Sequence, residues 1–143
     1  MKVQVINGPN LNMLGQREKD HYGELTLDKI NELILQKAKK MKIDIGFFQS
    51  NEEGQIVSKI QECSGENDFV IINPAAFTHT SIAIRDALLS VKVKFVEVHL
   101  SNIFDREDFR RHSFISSIAL GVISGFGHQG YLMALDALGN MQK

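Results

Sequence analysis

The sequence contains one cysteine, Cys63, so no intrachain disulfide can form. Its neighbours at helical spacing are Ile56, Val57 and Ile60, which predicts a buried structural thiol rather than a reactive one. No apolar run approaches the roughly 20 residues needed to span a bilayer. The first six residues alternate in polarity and break at Asn7-Gly8-Pro9, which is unlike a secretion signal. Neither sign of charge is in excess: 16 Lys and Arg against 17 Asp and Glu leave a formal net charge of −1. A chain without a broad basic footprint is not expected to bind nucleic acid. There is no repeat, no low-complexity tract and no linker. These absences predict a cytoplasmic protein with no membrane contact, its residues 1–143 forming a single domain. With 43% hydrophobic residues, such a domain can bury a substantial core.

What is present is an alternation of two periodicities. Lys2–Asn7 alternates apolar and polar residues, as a strand does. After Thr26, a plausible N-cap, Leu27, Ile30, Ile34, Ala38 and Met41 recur at helical spacing. Ile43, Ile45 and Phe47 alternate again, and Ile56, Val57, Ile60 and Cys63 mark a second helix. Phe69-Val70-Ile71-Ile72 is a continuous apolar run, expected of a strand covered on both faces. Ile82, Ala83, Ala87 and Leu88 suggest a third helix. Phe95–Leu100 and Leu120–Ser124 read as further strands, a last helix starts near Gly130, and a short helix is expected near Glu107–Arg111. Five β-then-α units imply an α/β fold, a five-stranded parallel sheet with helices on both faces. At this length the flavodoxin-like strand order is the natural one, and ligands then bind outside the carboxyl ends of the strands.

Those ends are chemically rich. They carry Asn7-Gly8-Pro9-Asn10-Leu11-Asn12, Asn73-Pro74-Ala75-Ala76-Phe77-Thr78-His79-Thr80-Ser81, Glu97-Val98-His99-Leu100-Ser101-Asn102 and Gly125-Phe126-Gly127. One such cluster reads as turn chemistry, because Asn, Gly, Pro and Ser favour turns. Four of them on one sheet edge, bearing His, Ser and Asn side chains, read as a site. Thr80 or Ser81 can cap the following helix, whose N-terminus would favour an anion such as a carboxylate. Glu97 and His99 are two residues apart on a strand, so both side chains leave the same face. A carboxylate beside an imidazole fixes its tautomer and supports a proton on it, which a general acid needs. The bland alternative is a structural ion pair.

The segment Leu14–Gly23 is long, polar and bounded by glycines, and it crosses the carboxyl edge as a lid would. Arg17 and Tyr22 are its informative members. A free phenol with a pKa of about 10 is barely ionised at neutral pH, and a guanidinium alongside raises the phenolate fraction. Tyr22 is thus a candidate general base, against the alternative of a surface tyrosine on a loop.

Taken together, these residues resemble the type II 3-dehydroquinate dehydratases. The likeness runs through four ordered motifs: Gly8–Gly15 with Arg17-Glu18 and Tyr22-Gly23; Asn73–Ser81 with Arg85-Asp86-Ala87; Glu97–Asn102 with Arg106-Glu107 and Arg110; and Gly125-Phe126-Gly127 with Gly130-Tyr131. The resemblance implies a flavodoxin-like lyase of the shikimate pathway, which serves aromatic amino acid biosynthesis. It implies no metal and no organic cofactor. It implies that Tyr22 is the base, that Arg17 holds the lid, and that Asn10 holds a water against an enolate. His99 would be the acid and Glu97 its orienting partner. Asn73, Leu100 and Ser101 would bind the substrate carboxylate, the latter two partly through backbone N–H groups, and His79 and Arg110 would bind ring hydroxyls. Asp86 would reach a neighbouring subunit, since the family assembles as dodecamers. Lys19 stands where the family usually has proline, which implies a more flexible lid. Arg106 is a second candidate to face the lid, after Arg110.

Three rival readings are weaker. Gly125-Phe126-Gly127-His128-Gln129-Gly130 matches a dinucleotide fingerprint, but it follows the last strand rather than the first. A hydrolytic metal site on His79, His99 and Glu97 lacks a compact ligand motif. A non-enzymatic signalling module would leave His99 and Tyr22 without a role. Imine chemistry on a lysine is also disfavoured. Lys2, Lys42, Lys92 and Lys94 fall near strand starts, and Lys19 lies between Glu18 and Asp20, which favour its unreactive charged form.

Overall fold

The computed structural model describes residues 1–16 and 25–141. Five strands form one parallel sheet: β1 (Lys2–Asn7), β2 (Asp44–Gln49), β3 (Phe69–Asn73), β4 (Lys94–His99) and β5 (Gly121–Ser124). Their order is β2-β1-β3-β4-β5, the flavodoxin-like order expected from the sequence. Helices α1 (Leu27–Met41), α2 (Glu53–Glu62), α3 (Ile82–Val91) and α4 (Gln129–Met141) connect and cover them.

Each helix forms where an apolar stripe follows a start signal. The Thr26 side chain accepts a hydrogen bond from the Lys29 N–H, and that of Ser81 accepts from the Ile84 N–H, so both residues are N-caps. Each such cap stabilises its helix by about 1 kcal/mol. Helices α1 and α4 lie on one face of the sheet, where Ile30, Ile34, Tyr131 and Leu135 join Val3, Val5, Ile71 and Val98 in one core. Helices α2 and α3 lie on the other, where Ile56, Ile60, Cys63, Ile84 and Leu88 pack on Ile6, Val70 and Ile72. Strand β3 is buried along its whole length, as its uninterrupted apolar run requires. Cys63 is buried in the second core. Burial raises its thiol pKa, which suits a structural role.

The face of α3 differs from expectation. Ile82 is 56% exposed and Ala83 is also outside, whereas Ile84, Ala87 and Leu88 are buried. Ser81 takes the cap position, which turns the first helical residue outward. The segment near Glu107–Arg111 is a single 3₁₀ turn, Asp108–Arg110, rather than a longer helix.

Because the connections to β2 and to β4 leave the β1/β3 pair in opposite directions, a crevice opens at the carboxyl ends of these central strands. Gly8 stands where the ends of β1 and β3 meet. Its N–H donates to the Asn73 carbonyl at 2.8 Å, and a Cβ there would meet the Pro74 carbonyl oxygen at 2.3 Å. Only glycine permits that approach.

Candidate active site

The crevice is lined by Asn10, Asn73, His79, His99, Leu100, Ser101 and Arg110, with Leu11, Leu14, Ala75 and Ile103 as apolar walls. Seven of the residues singled out from the sequence thus meet in one cleft. Arg106 lines it as well. Glu97 stands behind His99 and is fully buried. Asp86 is exposed on α3 and is not part of this cleft. Arg17, Lys19 and Tyr22 lie outside the described residues.

The alternation of β4 sends Glu97 and His99 to one face, as expected. His99 Nε2 lies 3.1 Å from Glu97 Oε2, in reach but poorly aligned for a hydrogen bond. The remaining ring nitrogen is Nδ1. Burial pushes the Glu97 carboxyl up, but the His99 imidazole and the hydroxyls of Ser113 and Ser116 more than offset this. The net result holds it below the usual glutamate range, hence ionised. Ser113 Oγ donates to Oε1 and Ser116 Oγ to Oε2, each at 2.6 Å. Neither serine was foreseen, because neither has a helix or strand period to place it.

His79 is fixed from the other side. Its Nδ1 is 2.7 Å from the His112 carbonyl, which can only accept, so Nδ1 carries the proton. Burial lowers its pKa, and the nearby His99 and Arg110 act in the same direction, so the ring is neutral with a lone pair on Nε2. The two imidazoles stack with centroids 6.5 Å apart. Arg110 forms an ion pair with Glu107 through Nε.

Asn73 is set by a chain of buried hydrogen bonds. Its Nδ2 donates to the Tyr131 hydroxyl at 3.1 Å, and that hydroxyl donates to Asn7 Oδ1. Its Oδ1 accepts the Ala75 N–H at 3.1 Å. One N–H of Nδ2 is left for the cleft. Tyr131 is fully buried, and burial raises its phenol pKa well above the ordinary value. It stays neutral.

The N-terminus of α3, expected to favour an anion, is capped by a side chain. Ser81 occupies that terminus and does not line the cleft. The backbone after β4 also runs along the cleft. The His99 carbonyl accepts from the Gly125 N–H and the Leu100 carbonyl from the Gly127 N–H. In a trans peptide the following N–H points the opposite way, so the N–H groups of Leu100 and Ser101 face away from that segment. The same two bonds occupy the N–H groups of Gly125 and Gly127 within the fold. Gly130, where a Cβ would lie 3.2 Å from Val98 Cγ1, lets α4 pack against the sheet.

Among the described residues no three His, Cys, Asp or Glu side chains gather as metal ligands. No helix among them is long and apolar enough to cross a membrane. Lys2 and Lys94 begin β1 and β4, while Lys42 and Lys92 end α1 and α3 just before β2 and β4, all at the far end of the sheet from the cleft.

Residues 1–139 match the family model described as Dehydroquinase class II. A 3-dehydroquinate dehydratase from Acaryochloris marina is 57% identical over 136 residues, covering 95% of this chain and 91% of that protein. One from Histophilus somni is 53% identical over 142 residues, covering 99% and 95%. The crystal structure of a type II dehydroquinase from Butyrivibrio crossotus superposes with a TM-score of 0.94 at 48% identity, covering 96% of this chain and 97% of that one. A family model spanning nearly the whole sequence, relatives above half identity and a shared strand order converge: the chain belongs to the class II dehydroquinase family.

Proposed function

We propose that this cleft removes water from 3-dehydroquinate to give 3-dehydroshikimate, with Tyr22 as base and His99 as acid. The chain is a hydro-lyase of the type II 3-dehydroquinate dehydratase family, acting in the shikimate route to aromatic amino acids. The observation that carries the assignment of roles is the buried, ionised Glu97 behind His99 at the edge of a cleft that also offers donors for a carboxylate.

Proton abstraction beside a ketone needs a base, a stabilised oxyanion and an acid for the leaving group. The sequence has two tyrosines. Tyr131 is neutral and committed to Asn7 and Asn73, which leaves Tyr22 as the phenolic base, its charged form favoured by the Arg17 guanidinium. The proton beside the ketone passes to Tyr22, and its electron pair moves onto the carbonyl oxygen as an enolate. Asn10, on the rim of the cleft, holds a water against that oxygen. The enolate then re-forms the ketone and expels the hydroxyl, which takes a proton from His99 and leaves as water. Asn73 and the N–H groups of Leu100 and Ser101 bind the carboxylate; His79 and Arg110 bind ring hydroxyls.

The residues 1–143 act as one catalytic domain in the cytoplasm. They assemble as a dodecamer in which Asp86, exposed on α3, reaches the site of a neighbour.

The product is a conjugated enone, so turnover appears as rising ultraviolet absorbance when 3-dehydroquinate is added. Tyr22→Phe deletes only the hydroxyl and should lower kcat by ~10²-fold or more. A Tyr22→Phe enzyme with near-normal kcat would remove Tyr22 from the mechanism.

A further inference from the structure

We propose that Ser113 and Ser116 are positioning residues for the acid step, gripping both oxygens of Glu97 so that Glu97 holds His99. This rests on the reading of His99 as the acid.

Glu97 has 0% exposure. A buried carboxylate is costly unless its oxygens are hydrogen-bonded. Here both oxygens receive hydroxyls at 2.6 Å, a separation typical of O–H groups donating to an ionised carboxylate. The direction of one bond is forced. Ser113 Oγ accepts from the Ile115 N–H at 3.2 Å and from the Ser116 N–H at 3.1 Å, which fills its acceptor capacity. Its single proton must therefore point outward, and Glu97 Oε1 must accept it. Ser116 donates to Oε2, the same oxygen that faces His99 Nε2.

The loop bearing these serines is itself pinned. Ile115 is buried in the core beneath α2 and α3. Arg85 on α3 donates through Nη1 to the Phe114 carbonyl at 2.7 Å and to Ser117 Oγ at 3.1 Å. The Phe114 N–H donates to the Thr78 carbonyl at 3.0 Å. The neighbouring His112 carbonyl fixes the tautomer of His79. One irregular loop, 112–117, thus sets the state of the groups behind both cleft imidazoles.

The cleanest test is Ser116→Ala, which deletes the bond to Oε2 and leaves the Ser113 turn in place. Its kcat should fall about tenfold, the effect of losing one hydrogen bond to a charged group, while KM stays within about twofold. Ser116→Thr keeps the hydroxyl and should recover most of the kcat. In a Glu97→Gln background, Ser116→Ala should cause no further loss, because the serine acts through Glu97. The proposal is overturned by wild-type kcat in Ser116→Ala while Glu97→Gln is impaired, by losses that simply add in the double variant, or by a Ser116→Ala chain that does not fold. Full activity of Glu97→Gln and His99→Ala would instead overturn the acid assignment itself.

Discussion

At the scale of single residues, the site is held by bonds that join distant parts of the sequence. Tyr131 and Asn7 are 124 positions apart, yet the phenol of one donates to the amide of the other. Through the same hydroxyl, Tyr131 fixes the orientation of Asn73, whose Oδ1 is already taken by the Ala75 N–H. Tyr131→Phe would leave Asn7 Oδ1 and Asn73 Nδ2 without their shared partner inside the protein. The expected cost is about 1–3 kcal/mol of stability, and a rise in KM larger than the change in kcat, because Asn73 is proposed to bind the substrate carboxylate. Thermal unfolding and steady-state kinetics check both, and an unchanged KM would mean that Asn73 needs no such support. Glu97 and His99 were legible in the sequence because a strand has a period of two. Ser113, Ser116 and Asn7 were not legible as partners, because their roles depend on where an irregular loop and a distant helix come to rest.

At the scale of elements, the alternation of strand and helix patterns was readable throughout, since each apolar stripe matches the face the sheet or helix buries. The face of α3 was the exception. Ile82 and Leu89 are apolar yet exposed, so the stripe looks wider in the sequence than the buried one in the fold. Boundaries between elements depend on tighter contacts, as the junction of β1 and β3 shows. There the Gly8 N–H meets the Asn73 carbonyl, and the Pro74 backbone occupies the space of a side chain. Gly8→Ala forces two backbones apart and should cost about 2 kcal/mol or more, as overpacking of rigid neighbours does. Urea unfolding measures it; an unaltered midpoint would show that the strand ends separate freely.

At the scale of the whole molecule, the sheet is unevenly covered. Parallel sheets are normally buried on both faces, yet β5 exposes Val122 beside Leu120 and Phe126, the last 60% exposed. Asp86 also points outward, one residue from the Arg85 that clamps the 112–117 loop. Both features suit a chain that completes itself against copies of itself. Sedimentation velocity should therefore show a large homo-oligomer of dodecameric mass, and a fully active monomer at assay concentration would contradict it.

The fixed tautomer of His79 has a consequence for the design of inhibitors. With Nδ1–H spent on the His112 carbonyl, the ring presents the cleft with a lone pair and no proton. Across the cleft, Asn73 presents an N–H. The two walls are therefore of opposite hydrogen-bonding polarity. On the proposed roles, a mimic would carry an oxyanion at the Asn73 end and an O–H or N–H at the His79 end. Replacing that hydroxyl by an ether or carbonyl oxygen would set lone pair against lone pair, so two compounds of the same shape would be sorted by the direction of a single proton.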